Sequence, residues 1–408
     1  MLDFLLRQLI SQGSLTVIDH TGNARHVRGQ GGPHVVIKFT DPTIAWALVR
    51  RPDLALGEGY MDGRIEIVEG SLRDLLAMLM ANQFAAYRSN WWLRLMSFGP
   101  KLLKRWHQMN RLAAARTNVA HHYDLSAELY RLFLDTDQQY SCAYFAHAGM
   151  DIEAAQKAKK QHLAAKLLLK PGQTVLDIGS GWGGLGLYLA KANRVDVTGL
   201  TLSTEQHKIA NARAIDAGLG NQARFLLQDY RTLDERFDRI VSVGMFEHVG
   251  VNNYAAYFQQ VNALLKPDGV GVVHSIGRLS GPAHTSRFIQ KYIFPGGYIP
   301  ALSEVIPAIE RAGLYITDVE ILRLHYAETL ARWHSRFQAN RERIKAIYDE
   351  RFCRMWEFYL LASEMFFRVQ DGMVFQIQVA KSMDSVPLTR DYMYEVEHQL
   401  MAAEKTAA

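Results

Sequence analysis

In the middle of the chain, short blocks of apolar residues alternate with longer stretches in which apolar positions recur at helical spacing. The blocks at 174–178, 196–200, 223–227, 238–243 and 270–274 read as strands, and 205–217 and 254–265 as helices between them. Strands that alternate with helices pair in parallel, so the pattern predicts an α/β protein built on a doubly wound sheet. Two later runs, 315–321 and 374–379, are placed to close the sheet, with the helical tract 326–370 as an insertion above it. Upstream, residues 1–85 mix short strands (14–19, 34–39, 64–68) with amphipathic helices (42–50, 71–80), which predicts a small α+β domain.

The first block of the middle region runs straight into Gly179-Ser-Gly-Trp-Gly183 and then a helix. Glycines at 179, 181 and 183 permit positive φ and let a ligand approach the backbone, and the helix behind them offers N-terminal amides. A tight turn with no ligand is the plainer reading. A nicotinamide dinucleotide would need an acid at the end of the second strand, about 20 residues on. That strand ends instead in Thr201-Leu202-Ser203-Thr-Glu-Gln206, and Asp196 lies at its start. The acid is Asp177, inside the first strand, which suits S-adenosylmethionine (SAM) better. Ligands of such sheets gather at the carboxyl ends of the strands, so Ser180, Ser203, Asp229, Glu247 and His274 are expected around one crevice.

Composition adds limits. A chain of 408 residues with 49% hydrophobic content supports two domains. Only two cysteines, Cys142 and Cys353, argue against a disulfide framework or thiolate metal site and for a reducing, cytoplasmic setting. No apolar run reaches membrane-spanning length, and no signal-peptide pattern is visible. Between Leu75 and Tyr123 there is no acidic residue, yet Arg88, Arg94, Lys101, Lys104, Arg105, Arg111 and Arg116 fall there, with Trp91, Trp92 and Trp106 among them. Such a mixture suits the surface of an anionic bilayer, and a basic linker against the protein's own acidic surface is the plainer alternative. The net charge of +5 is modest and no base-reading motif is present, so nucleic acid is not an expected partner. His121 and His122 form no metal set with nearby carboxylates, and no metal is assigned. The expected plan is 1–85, a lipid-positioning domain; 86–120, the basic aromatic linker; 121–395, the catalytic domain; and 396–408, a tail.

Several segments together carry a resemblance: His122-Tyr-Asp-Leu, Tyr140-Ser-Cys-Ala-Tyr-Phe145, Val175-Leu-Asp-Ile-Gly, Gln228-Asp-Tyr-Arg231, Gly244-Met-Phe-Glu-His-Val-Gly250, His274-Ser-Ile-Gly277 and Lys291-Tyr-Ile-Phe-Pro-Gly296. Across residues 110–380 the chain resembles the cyclopropane-fatty-acyl-phospholipid synthases, relatives of the mycolic acid cyclopropane synthases. Leu56-Gly-Glu-Gly-Tyr-Met-Asp-Gly63 extends the likeness into the N-terminal domain and favours phospholipid over mycolate.

The resemblance implies a class I SAM-dependent methyltransferase sheet and methylene transfer from SAM to a cis double bond of a phospholipid acyl chain. It implies SAM contacts from Tyr140, Ser141, the Gly179–Gly183 loop, Thr201, Leu202, Ser203, Gln206, Asp229 and Tyr230. It also implies bicarbonate as the base, held by Cys142, Glu247, His274, the Ile276 backbone and Tyr326. An alkene attacking the SAM methyl leaves a carbocation, so the pocket should be dry and aromatic, and Tyr144, Phe145, Phe246 and Tyr298 fit that need. Each polar residue also has a structural reading: a salt-bridged Glu247, a core His274, a packed Cys142 or Tyr326. Ser363 stands where some family members carry a cysteine, which weighs against covalent cysteine catalysis. The implied setting is the inner face of a membrane, peripherally bound, and the same picture accommodates a homodimer. Alternatives are a methyl-branching lipid enzyme, an amine methyltransferase, and a lipid-binding protein that keeps the SAM fold without catalysis.

Overall fold

The structure, a computed structural model, describes residues 1–89 and 127–407. Most of the expected 86–120 linker, together with His121 and His122, lies outside the described residues.

Alternating burial builds the larger sheet. In β5 (Thr174–Ile178), Leu176 and Ile178 join one apolar cluster while Val175 joins another. The same split separates Ile240 from Val241 in β8 (Phe237–Val243) and Val273 from Val272 in β9 (Leu265–Arg278). Successive strand residues point to opposite faces, so both faces of the sheet are covered, as a doubly wound sheet requires. With β6 (Asp196–Thr201), β7 (Ala223–Leu227), β10 (Tyr315–Leu322) and β11 (Gly372–Ala380), the order is β10-β11-β9-β8-β5-β6-β7. Pairing from β7 through β9 is parallel, and β10 runs antiparallel to β11. This is the expected fold, with the strands close to the predicted bounds except β9, which was expected over 270–274 and is longer at both ends.

Within the expected 396–408 tail, the described residues are helical. The Asp391–Ala407 helix packs on the Ile152–Lys166 helix, with Leu400 in the core, Glu397 on His162, and Gln161 and Tyr188 both donating to Glu404 (3.1 and 2.8 Å). Its apolar and carboxylate positions cover a face the shorter helix leaves open.

The smaller sheet has the order β2-β1-β3-β4, from β1 (Gln12–Ile18), β2 (Ala24–Arg28), β3 (Gln30–Phe39) and β4 (Ile65–Glu69). By contacts the chain divides into two units, Met1–His107 with Thr285–Pro295 and Ala327–Gly372, and the remainder. This cuts across the expected segments. The 326–370 tract is largely helical as predicted, and Ala327–Gly372 is grouped by its contacts with the N-terminal elements. The Glu350–Val369 helix packs on the Leu72–Ser89 and Pro52–Met61 helices. There Tyr60 donates to Glu357 Oε2 (2.9 Å), and Gly57 packs so tightly that a Cβ would overlap the Phe288 ring. Glu58 accepts from Lys291 Nζ (2.6 Å) and the Tyr292 hydroxyl (2.7 Å), so the Leu56–Gly63 and Lys291–Gly296 motifs meet.

Candidate active site

The strand register sets the site. Ile178 pairs with Leu200 and Ser242, Thr201 with Leu227, and Val243 with His274, so β5, β6, β7 and β8 end at nearly one level, beside His274 of β9. The glycine loop, Ser203, Asp229, Glu247 and His274 therefore share the carboxyl edge, as predicted. Gly179, Gly181 and Gly183 all have positive φ (84°, 55° and 83°). A Cβ on Gly179 would lie 2.8 Å from Met245 Cβ, and one on Gly183 2.8 Å from the Phe225 ring, whereas at Gly181 it would meet nothing within 4 Å. The outer glycines are needed for packing, and the middle one leaves backbone open to a ligand. Leu200 O receives both the Gly179 and Ser180 amides (3.0 and 2.8 Å), which ties the loop to β6.

Asp177 is fully buried behind this loop. Burial pushes its carboxyl up to about 7, and Oδ2 has no hydrogen-bond partner among the described residues. A donor group of a ligand fits there. After β6, Thr201 Oγ1 donates to Gln206 Oε1 (2.8 Å) and accepts from the Ser203 amide (3.1 Å), while Ser203 Oγ caps the next helix at the Gln206 amide (3.3 Å). Leu202 lies between them in the turn. Asp229 is held bidentately by Arg231 (2.8 and 2.7 Å). Tyr230 stands edge-on to Tyr257 (5.4 Å).

Glu247 sits in a tight turn after β8. Its Oε1 accepts from the Ile276 amide (2.7 Å), and Oε2 is buried without a partner among the described residues. Burial pushes its carboxyl up to about 7. The Ile276 amide thus orients Glu247. His274 is buried and held well below its usual range by desolvation, so its ring is neutral. Gln376 Nε2 donates to its Nδ1 (3.1 Å), which leaves the proton on Nε2. Cys142 is buried with Sγ against the Ala143 carbonyl (3.4 Å), and buried Tyr326 begins the stretch that enters the His325–Ala339 helix. Among the expected aromatics, Tyr144 is stacked between His162 (4.3 Å) and His325 (5.0 Å), and Phe145 lies beside His325. Phe246 is a core residue, stacked on Tyr254 (4.4 Å), and Tyr298 spends its hydroxyl on Glu304. Cys353 hydrogen-bonds the Arg341 carbonyl (3.9 Å) and burial raises its thiol.

The structure also brings in residues that pattern reading passed over. Lys159, fully buried, donates to Gln139 Oε1 (2.6 Å) and Ser141 Oγ (2.8 Å). Gln156, one turn earlier, donates to the Gln139 and Ser141 carbonyls (3.2 and 2.9 Å). Arg213 donates to Trp182 O (2.8 Å) in the glycine loop and pairs with Asp137.

A model of the mycolic acid cyclopropane synthetase family matches residues 110–377. The chain belongs to that family. Residues 13–90 match a second model, a domain of unknown function. Among relatives of this cyclopropane synthetase member, the cyclopropane-fatty-acyl-phospholipid synthase of Escherichia coli is 37% identical over 86% of this chain and 88% of its own. Tuberculostearic acid methyltransferase of Mycobacterium tuberculosis is 35% identical over 89% of this chain and 87% of its own. A mycolic acid cyclopropane synthase solved with SAH superposes with a TM-score of 0.62 at 36% identity, over 65% of this chain and 98% of that one. The chain is therefore a SAM-dependent enzyme of the methyltransferase type.

Proposed function

We propose that the enzyme transfers a methylene group from SAM to a cis double bond of an unsaturated phospholipid acyl chain, closing a cyclopropane ring. The observation that carries this is that buried Glu247, just after β8 and held by the Ile276 amide, and buried His274, in β9, lie at the carboxyl edge of the sheet that also carries the glycine loop of β5. The net change forms two C–C bonds from the electron pairs of the alkene π bond and of one C–H bond of the transferred methyl; the S–CH3 bond breaks with its pair left on sulfur, and a proton is released.

SAM supplies the electrophilic methyl. The loop at Gly181, the orphan oxygen of Asp177 and the Thr201–Gln206 turn fit it, together with Tyr140, Ser141 and Tyr230. Bicarbonate would supply a small base that no carbocation can trap on a side chain. Glu247 and His274 suit such an anion. With Oε1 fixed by the Ile276 amide, a neutral Glu247 carries its proton on Oε2 and donates it as a hydrogen bond; His274 donates from Nε2. Two neutral donors hold an anion without setting a like charge beside it. Cys142 and Tyr326 complete the proposed set, and burial of all these groups keeps water from the electron-deficient acyl carbon. The phospholipid is met at a bilayer surface through the basic aromatic segment.

The test is incubation with SAM and unsaturated phospholipid vesicles, followed by mass analysis of the acyl chains. A gain of one CH2 with loss of the alkene supports ring formation. Methylation with the alkene kept overturns it and favours a branched product, the reading that the 35% identical methyltransferase supports.

A further inference from the structure

We propose that Lys159 is a positioning residue for the cofactor: from inside the Ile152–Lys166 helix it holds the Gln139–Cys142 turn in the shape that SAM requires. This rests on the reading that Tyr140 and Ser141 face the cofactor.

The geometry is that of a clamp. Gln156 and Lys159 lie three residues apart on one helix face, where side chains are neighbours. Gln156 takes the Gln139 and Ser141 carbonyls, and Lys159 takes the Gln139 side chain and the Ser141 hydroxyl. Backbone and side chains of the turn are thus gripped by one helix. The turn is anchored at its other end as well, since the Gln139 amide donates to Asp135 Oδ1 (2.8 Å) and Gln139 Nε2 to Asp137 (3.0 Å). Asp137 in turn pairs with Arg213, which holds the glycine loop at Trp182 O. Both recorded acceptors of the buried ammonium are neutral. A buried ammonium on neutral acceptors is costly for a purely structural contact, because desolvation of the charge goes uncompensated by a directly bonded carboxylate. Its field reaches Asp177, Cys142 and His274, three of the site residues.

The pH behaviour gives a readout that simple packing would not. Burial lowers Lys159 to about 8, with Asp135, Asp137, Lys160, Cys142, Asp177 and His274 as the titratable groups around it. Below that pH the ammonium has three donors; above it the amine has lost the charge and one donor.

Isothermal titration of SAH into the full chain, without lipid, tests this in wild type, Lys159→Met and Ser141→Ala, with circular dichroism as the check on folding. Lys159→Met should weaken SAH at pH 7 by about tenfold and raise KM for SAM more than it lowers kcat. Wild-type affinity should fall between pH 7 and 9, and the Lys159→Met profile should be flat. Ser141→Ala should weaken SAH several-fold. A folded Lys159→Met that binds within twofold of wild type, or keeps the same pH profile, overturns the proposal. If Lys159→Met does not fold, Ser141→Ala binding as wild type overturns it. SAH binding is read without an acceptor, so failure of ring formation on vesicles would sink the function proposed above and leave this one standing.

Discussion

Glu247 and Asp177 are acids whose protons the fold holds well above the usual carboxylate range. Each is buried with one oxygen lacking a partner, and burial raises each to about 7 from ordinary values of 4.5 and 3.8. The folded chain therefore holds these protons more tightly than the unfolded chain. Their stabilising contribution is complete below about pH 4 and is lost as pH rises through 7. Glu247→Gln removes the ionisation, and we expect its Tm to exceed that of wild type by a few degrees at pH 8 and to match it near pH 5, in a thermal melt at both. Glu247→Ala, which removes the hydrogen bond proposed to hold the anion, should lose turnover by about 100-fold or more, with SAH affinity kept within about threefold. Wild-type activity should decline above pH 7 as Glu247 ionises. Glu247, His274 and Asp177 were legible in the sequence because each lies in or just after a recognisable apolar strand block. Lys159 was not, because Gln-Lys-Ala-Lys-Lys-Gln reads as a solvated charged face and only tertiary packing buries its middle lysine.

At the scale of elements, the glycine loop separates two reasons for lacking a side chain. Gly183→Ala places a Cβ 2.8 Å from the Phe225 ring and 3.0 Å from Ala210 in a left-handed backbone, so both strain and overlap result. We expect a loss of about 2–4 kcal/mol, measured by urea unfolding. Gly181→Ala meets no atom within 4 Å and should cost about 1 kcal/mol of strain, yet weaken SAH at least tenfold by filling the face offered to the ligand. Equal stability losses in the two variants would contradict this division. The strands of the large sheet could be read from their apolar blocks, whereas β2 could not. In Ala24–Arg28 only Val27 is buried, so an edge strand shows no alternation to detect. The Leu2–Leu9 helix, amphipathic in sequence, was not anticipated, and none of its residues is buried. The Pro52–Met61 helix was hidden by its glycines, which break the usual propensity because Gly57 and Gly59 must admit Phe288, Ile44 and Ile65.

At the scale of the whole molecule, no helix among the described residues is long and apolar enough to cross a membrane. Attachment to a bilayer surface would fall to the basic aromatic run, seven cations without an acid between Leu75 and Tyr123. Vesicle flotation should show binding to anionic vesicles that drops steeply between 50 and 500 mM salt, roughly 1 kcal/mol being available per basic residue near the surface. Equal binding to neutral vesicles would remove the electrostatic account. The division of the chain into units was hidden from the sequence, since periodicity identifies the 326–370 helices but not which partner their apolar faces meet. That partnership has a consequence for synthesis. The Leu72–Ser89 helix leaves the ribosome long before the Glu350–Val369 helix that covers it, a delay on the order of 15–50 s at ordinary translation speeds. Until then the nascent chain carries a bare oily stripe, and its survival depends on whatever shields that stripe in the interval.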